Sequence, residues 1–544
     1  MPRKSDRIRQ SDRVPPGALP PVRRFPKSDL KSGFLVSLIA LPLCLGIAVA
    51  SGFPPVAGVL TAIVGGILGG LLGGAPLTIK GPAAGLIVIA VGAVHDLGQG
   101  DLVAGYRRAL AVGVVAALIQ ILFGLARAAG VGVAMSPSVV HGMLAAIGVI
   151  IIAKQAHIVL GVKPEAETSF GLLAEIPHSL THANPLILLV GALSLLILFG
   201  LPLVRARWSR AVPAPLVVLA VAIPIGLWLH LDRPHDYRFL EANHHLGPEY
   251  LVRLPGSLLD AITFPDFSQV FSGTSLQYVA MFALIGTIES TLTVLAVDSM
   301  DPAKGSSDLN RDLLAIGAGN LTSAMVGGLP MISEIVRSKA NLDSGATTRW
   351  SNVCHGAILL LFVALIPGVV QTIPLAALAA MLVYTGFRLA SPSEFRHAAH
   401  LGWDQLALFL TTLLVTLATD LLIGVAAGLG LKVVLHLARG VPLPAVLRPR
   451  PEITRDGAVL RVRVPGAAIF PVLLPLRRVL ARADSDVREV VIDVRDAAVV
   501  DHTFLARLDE LAKELPTATV TVDGLDQLTP VSDHPHATRR RRRT

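Results

Sequence analysis

Charge is scarce in this 544-residue chain. Only 16% of its residues are charged, against 53% hydrophobic. Soluble domains carry about a quarter charged residues, so that class is excluded. With a mean hydropathy of +0.64, the composition indicates a polytopic membrane protein. Cysteine is nearly absent. Cys44 and Cys354 both fall in apolar segments, which suggests neither a disulfide framework nor a thiolate metal site. There is no Walker A sequence, so ATP-driven work is not supported. No nucleophile–base–acid arrangement stands out, and His178, His182, His244 and His245 lack metal-ligand spacing with carboxylate support. We therefore expect no enzyme, no metal and no cofactor. Nothing resembles a nucleic-acid-binding module, and the net charge of +9 sits in tails and loops, where it bears on membrane orientation. Met1–Asp29 is basic but has no short apolar run ending in a small-residue cleavage site, so a cleaved signal peptide is not expected.

Glycine (49) and proline (38) are plentiful, as in tightly packed, interrupted membrane helices. Residues 1–28 read as a disordered basic cytoplasmic arm. A membrane domain is expected over 29–440. Seven apolar segments, near 30–51, 54–73, 80–95, 106–128, 135–160, 185–204 and 211–231, form a first repeat of about 29–231. After a polar stretch from Asp232 to about Gly273, seven more follow near 274–298, 309–326, 334–345, 351–371, 374–390, 404–419 and 420–438. These form a second repeat of about 274–438. Several are shorter than the ~20 residues of a full span, and those opening at Lys80 and Glu334 read as half-helices. With the N-terminus inside, the inner loops carry Arg205, Arg207, Arg210, Lys304, Arg311, Lys339, Arg349, Arg388 and Arg396, followed by Arg448 and Arg450. Arg107 and Arg108 fall on the wrong side of that scheme.

One stretch stands out: Gly327-Gly328-Leu329-Pro330-Met331-Ile332-Ser333-Glu334-Ile335-Val336-Arg337-Ser338. Gly-Gly-x-Pro breaks a helix, and broken backbone at membrane depth survives only where it is buried in protein or lines a cavity. A half-helix start here would present N–H groups and Arg337 to an anion; the alternative is a cytoplasmic loop with a surface Arg. Gly73-Gly74-Ala75-Pro76-Leu77-Thr78-Ile79-Lys80-Gly81-Pro82 repeats the pattern, also at the third segment of its half. Seven spans per half invert the second half relative to the first. Matched broken segments are a sequence pointer to a transporter's central site.

Two further features carry chemistry. Pro42 sits mid-span, where it is expected to kink or break the first helix. Glu289 places a carboxylate inside an apolar run, with Thr293 on the same helix face. Glu289 could carry H⁺, help bind Na⁺ with hydroxyl and carbonyl oxygens, or pair structurally with a basic residue. Glu334 has the same options, and its spacing from Arg337 allows a resting ion pair.

After Arg450 the pattern changes. Ala458–Val464 alternates like a strand, Ala467–Arg482 reads as a helix, Val487–Val494 as a buried strand, Thr503–Glu514 as a helix and Ala518–Val522 as a strand. This gives a small α/β domain over about 452–525. Residues 526–544, ending in Arg539–Arg543, read as a basic tail that could touch anionic lipid.

Taken together, Pro42–Pro55, Gly81–Ala84, Gly286–Thr293, Gly328–Arg337 and Ser344–Arg349 resemble the SulP anion transporters. The C-terminal unit resembles their STAS domain, with Val490–Val494 as its central strand. The resemblance covers about residues 29–525. It implies a polytopic α-helical fold of about 14 segments in a 7+7 inverted repeat, with core and gate domains, plus a small cytoplasmic STAS-like domain. It implies a homodimer in the cell membrane with both termini cytoplasmic. It also implies an anion site between the third and tenth helices, here Lys80, Gly81, Pro82 and Ala83 facing Ser333, Glu334, Ile335, Val336 and Arg337. Glu289, Thr293 and Glu334 become the ion-coupling candidates, with Glu289 leaning toward H⁺. The chain departs from the pattern at Glu334, where sodium-coupled bicarbonate relatives have a small residue. It departs again at Val500-Asp501-His502-Thr503, where soluble STAS relatives often have Asp-Ser-Ser-Gly; docking or regulation is the role expected of that loop. The leading expectation is secondary transport of an inorganic oxyanion, sulfate first and bicarbonate second. The rivals are a nucleobase symporter, which the STAS-like tail and Arg337 disfavour, and an anion channel or signalling protein.

Overall fold

The computed structural model describes residues 26–541, except 131–135, 167, 205–211, 240–241, 255–259, 302–306, 443, 446–450, 470–471, 474–475, 477–486 and 515–518. The N-terminal arm, most of the Ala467–Arg482 run, and Arg205, Arg207, Arg210, Lys304, Arg448 and Arg450 lie outside the described residues.

The first half comprises α1 (Lys27–Ala50), α2 (Pro55–Leu72), a short strand β1 (Ile79–Pro82), α3 (Ala84–Gly98), α4 (Leu102–Leu125), α5 (Pro137–Val159), a peripheral α6 (Ser169–Thr181), α7 (Pro185–Leu203) and α8 (Ala214–Trp228). A hairpin of β2 (His235–Phe239) and β3 (Ala242–Leu246) occupies the polar linker. The second half comprises α9 (Gly273–Met300), α10 (Leu309–Met325), β4 (Met331–Glu334), α11 (Ile335–Asp343), α12 (Trp350–Leu365), α13 (Leu375–Leu389), α14 (Pro392–Leu401), α15 (Trp403–Ala418) and α16 (Leu421–Ala438). Among the described residues, eight helices are long and apolar enough to cross a membrane, and α3, α8, α12 and α15 are shorter apolar helices. With α10 and α11 they fill the fourteen expected positions.

The inverted repeat is visible in the packing. Where α4 packs on α10, α12 packs on α2; where α1 packs on α12, α9 packs on α4. In the other layer, α13 on α7 mirrors α5 on α15, and α7 on α8 mirrors α15 on α16. Helices α1–α4 and α9–α12 thus form one body, and α5, α7, α8, α13, α15 and α16 form a second. The expected break at Pro42 does not occur: α1 runs unbroken through it. The chain departs from α-geometry in α2 instead, in a π-turn at Gly65–Gly69.

The C-terminal unit has two sheets. In one, β8 (Glu489–Asp493) lies parallel between β6 (Val459–Arg463) and β10 (Thr519–Asp523), with β5 (Glu452–Asp456) antiparallel at the edge. In the other, β7 (Gly466–Ala468) pairs with β9 (Ala497–Val500), then β12 (Arg539–Arg540) and β11 (Thr529–Pro530). The Ala467–Arg482 run therefore begins in a strand, because Gly466 at φ +78° turns the chain onto β9. The basic tail is likewise no free tail at its start. Arg539 and Arg540 pair with Val500 and Val499, so the chain stays in the fold past residue 525.

Helix α17 (His502–Glu514) begins at the loop Val500-Asp501-His502-Thr503, and this loop is docked. Asp501 lies 2.9 Å from Lys432 Nζ and 3.6 Å from His436 Nε2 of α16, all three nearly fully buried. Lys432 also donates to Thr503 Oγ1 (2.7 Å). Nearby, Ser532 donates to the carbonyls of His400 and Leu401, and Gln405 donates to Thr538.

Burial pushes the Asp501 carboxyl up, but Lys432 and His436 outweigh it and hold it well below the ordinary carboxylate range. Burial pushes His502 below its ordinary 6.5. A depressed histidine binds its proton more readily unfolded, so the stability it contributes is lost as pH falls below about 6.5. The Asp501 contribution is lost only once pH drops below its ordinary value of 3.8. Acid destabilisation of this unit should therefore begin near neutrality, and His502→Gln should shrink the pH 7 to 5 limb to the part that His534, also depressed by burial, contributes. Hydrogen exchange across α17 of the full chain, measured against pH, checks this; an unchanged limb in the variant would refute it.

Candidate functional site

At the centre of the first body the two Gly-Gly-x-Pro stretches meet. Strands β1 and β4 pair antiparallel: Ile79 with Glu334, Lys80 with Ser333, Gly81 with Ile332 and Pro82 with Met331. Each strand leads directly into a helix, β1 into α3 and β4 into α11, so both helix N-termini point at the ribbon. Neither N-cap residue caps its own helix with its side chain, although the Glu334 carboxylate accepts from the Ala84 N–H in the first turn of α3. Unsatisfied first-turn N–H groups and the helix dipoles make such ends receptive to an anion.

The sequence specifies this arrangement through polar side chains aimed at the ribbon. Ser338 Oγ accepts from the Ile79 N–H (2.8 Å) and donates to the Glu334 carbonyl (2.6 Å), tying α11 back across both strands. Asn320 of α10 accepts from the Met331 N–H (2.6 Å) and donates to the Met331 carbonyl and to Gln120 of α4. Ser290 of α9 accepts from the Ser333 N–H. Thr61 accepts from the Leu329 N–H. Gly327 turns the chain into β4 at φ +95°, a left-handed conformation that favours glycine, and its carbonyl accepts from Tyr106 Oη (2.7 Å).

All of the anion-site candidates lie on or beside the ribbon, but their roles differ. The Lys80 side chain is fully buried and turns away to Asp312 of α10 (3.0 Å), Thr78 Oγ1 and the Ala75 carbonyl. Asp312 also accepts from the Ala75 N–H and from Ser333 Oγ. Lys80 therefore offers the site its backbone only. Pro82 and Ala83 carry β1 into α3, and Ile335 and Val336 open α11 with exposed side chains. Arg337 is only 1% exposed, and its Nε and Nη1 have no hydrogen-bond partner. Its guanidinium presses on β1 where Gly81 leaves room: a Cβ there would stand 2.3 Å from Nη1.

Glu289 is buried in α9 with both carboxylate oxygens unpartnered, against Gly85 in the first turn of α3. Glu334 lies close enough for the two carboxyls to interact. Thr293 is half-buried one turn along α9. The Glu334–Arg337 ion pair does not form. Glu334 is extended, at φ −99° and ψ 117°, and precedes the helix, so the helical three-residue spacing does not bring the two side chains together.

A cavity of about 10 Å³, the size of one water, lies beside the ribbon among Leu86, Gln120, Phe282, Asn320 and Pro330. Among the described residues no cluster of three or more His, Cys, Asp or Glu could hold a metal ion.

Sequence reasoning missed Asp312, Ser290, Asn320 and Ser338. A signal for Asp312 was present, because a membrane-embedded Lys demands an embedded acid. It also missed Lys154 of α5, which reaches from the second body to the Ala50 carbonyl at the end of α1 (3.4 Å).

The Sulfate permease family matches residues 27–413. A putative sulfate transporter, YvdB, of Bacillus subtilis is 29% identical over 77% of this chain and 74% of its own length. A probable sulfate transporter of Mycobacterium tuberculosis is 27% identical over 91% of this chain and 88% of its own. The bicarbonate transporter BicA of Synechocystis is 26% identical over 76% and 70%. Among solved structures, the transmembrane domain of a cyanobacterial BicA superposes with a TM-score of 0.61 at 26% identity, covering 74% of this chain and 97% of that one. SLC26A9 superposes with a TM-score of 0.66 over 91% of this chain and 84% of that one, at 14% identity, and so shows the fold alone. The C-terminal strands are consistent with a STAS domain.

The Lys80–Asp312 pair should be the site's main structural tie. Asp312→Ala leaves a buried ammonium without its carboxylate and should cost about 3–5 kcal/mol. Lys80→Met with Asp312→Leu should recover most of that loss. Thermal unfolding in detergent compares them; equal melting of Asp312→Ala and the parent would show that the pair holds nothing.

Proposed function

We infer the function of this chain from one premise: it belongs to the sulfate permease family. It is a multi-pass membrane transporter of that family. We propose that it moves a small inorganic oxyanion, sulfate first, by secondary active transport with alternating access. In this reading the anion sits between the starts of α3 and α11, bounded by the Lys80–Ala83 and Ser333–Arg337 backbones, with Arg337 as its fixed positive charge. One observation carries the reading. A buried guanidinium with unpartnered Nε and Nη1 stands in the first turn of α11, beside the ribbon from which two helices start. A buried cation of that kind is costly unless an anion completes it.

Sulfate is favoured by the names of relatives that share most of this chain's length. Bicarbonate is the second reading, favoured by a solved structure of a bicarbonate transporter's membrane domain that matches at 26% identity. For coupling we propose H⁺ on Glu289. It has no cation within ion-pair distance, so nothing holds its charge fixed, and it abuts the start of α3. Thr293 and Glu334 complete the coupling region in this reading, and Na⁺ is the alternative ion. A homodimer in the cell membrane with cytoplasmic termini fits the family and the basic inner loops.

Uptake of labelled sulfate, bicarbonate and uracil into proteoliposomes under imposed H⁺ or Na⁺ gradients tests the assignment. We expect H⁺-driven sulfate accumulation; uracil uptake without oxyanion uptake would overturn it. Glu289→Gln should abolish accumulation while leaving sulfate binding intact, and concentrative uptake by that variant would remove Glu289 from coupling. Arg337→Ala should weaken sulfate binding by roughly tenfold or more, as expected for losing a charged hydrogen-bond donor. Parent-like affinity would move the site elsewhere.

A further inference from the structure

Helix α12 contributes a residue to this region that none of the foregoing roles uses. His355 is fully buried, and both of its ring nitrogens lack a hydrogen-bond partner. Asn352, one turn earlier on the same face, is 1% exposed with both amide atoms unpartnered. A buried histidine normally satisfies at least one nitrogen, because an unpaired polar group out of water costs about as much as a lost hydrogen bond. Packing alone therefore leaves His355 unexplained.

Its surroundings are well fixed. The start of α12 is tied to α11, because Asn341 Nδ2 donates to Ser351 Oγ (3.0 Å) and to the Leu77 carbonyl before β1. Ser32 of α1 donates to Asn341 in turn. A Cβ on Gly33 would come within 3.0 Å of the His355 backbone nitrogen, so α1 and α12 touch at that level. Arg337 lies one turn before Asn341 on α11 and His355 one turn after Ser351 on α12, and the short connection makes these helices run antiparallel, so the Asn341–Ser351 contact brings Arg337 and His355 to one level; the Arg337 Nε and Nη1 are unpartnered. Cation and imidazole thus stand at one level on α11 and α12, and the unpaired groups on Arg337 are donors only.

We propose that His355 is a specificity-determining residue of the Arg337 site, donating a hydrogen bond to the bound oxyanion and favouring it over halide. This rests on the reading of Arg337 as the anion's fixed charge. A tetrahedral oxyanion presents several acceptor oxygens, so one oxygen can engage the guanidinium while another takes the imidazole N–H. A halide ion held by the guanidinium has no second acceptor atom to offer. The ring acts at its own position, with its helix pinned by Asn341.

The test is binding of labelled sulfate to the purified full chain in lipid nanodiscs, with chloride as competitor. His355→Ala should weaken sulfate binding roughly tenfold and leave the chloride competition constant within about twofold. His355→Gln, which keeps an N–H donor, should recover sulfate affinity to within a few-fold. Loss of both anions in proportion, with a lowered melting temperature, would assign His355 to packing and overturn the proposal. Parent-like sulfate binding in His355→Ala, with binding lost in Arg337→Ala, would overturn this inference and leave the site reading standing. Parent-like binding in both variants would overturn both.

Discussion

Everything in the membrane body depends on eight residues of extended backbone finding one another. Strands β1 and β4 are too short and too rich in Gly and Pro to stand alone, and a lone extended segment at membrane depth would strand its N–H and C=O groups. Paired antiparallel, they satisfy part of that demand. Ser338, Ser290 and Asn320 satisfy more, each from a different helix. The ribbon therefore organises the packing around it, because a helix that shifted would abandon a backbone group it alone completes. The same constraint creates the site. Strands that run antiparallel and each lead into a helix must bring two helix N-termini toward one centre.

The two halves match in backbone but diverge at equivalent side chains. By the repeated motif, Lys80 in the first half corresponds to Glu334 in the second. Lys80 is neutralised by Asp312 and becomes a tie between β1 and α10. Glu334 has no such partner, and one of its oxygens is unpaired. Arg337, three residues further on, has an unpartnered Nε and Nη1 as well. The symmetric scaffold thus carries one half whose charge is spent on an ion pair and one whose charged side chains keep unpartnered atoms, as the proposed anion site requires. Buried ion pairs fix geometry, and breaking one is costly; unpaired buried charges do work elsewhere or do not persist.

Much of this was legible in the sequence, for identifiable reasons. Apolar segments, eight of them long enough to span and the rest shorter, give the fourteen positions. The matched Gly-Gly-x-Pro stretches give the half-helices, because Gly and Pro punctuate a helix wherever it lies. What stayed hidden was pairing. Nothing local in Ile79–Pro82 says that its partner is Met331–Glu334, some 250 residues away. The Glu334–Arg337 pair, one of the options the spacing allowed, is not formed for a related reason: the three-residue spacing presumes that both residues are helical, whereas the strand ends on Glu334. Of the two outcomes expected at Pro42, the break is absent, and the helix runs on through the missing bond with most of its residues buried. The C-terminal strand Arg539–Arg540 was invisible because a run of arginines carries no apolar alternation, and only β9 and β11 make it a strand.

The placement of polar contacts between the two helical bodies bears on how such a site could move. Within the first body, the ribbon, Asn341 and Asp312 join helices through short buried hydrogen bonds and an ion pair. Between the bodies the polar links are few and long, with Lys154 to the Ala50 carbonyl and Gln277 to Asp420 both at 3.4 Å. Apolar packing without directional bonds resists sliding less than a hydrogen-bonded network does, because contacts broken on one side are remade on the other. The C-terminal unit, by contrast, is fastened through Lys432 and Asp501 to α16, which belongs to the second body. Displacement along the weak seam would therefore carry the ribbon and its ligand as one piece, while the C-terminal unit stays with the helices it grips. The cation at Lys432 then sets which body that unit reports on, and a change at the Asp501 loop would reach the site only across the seam.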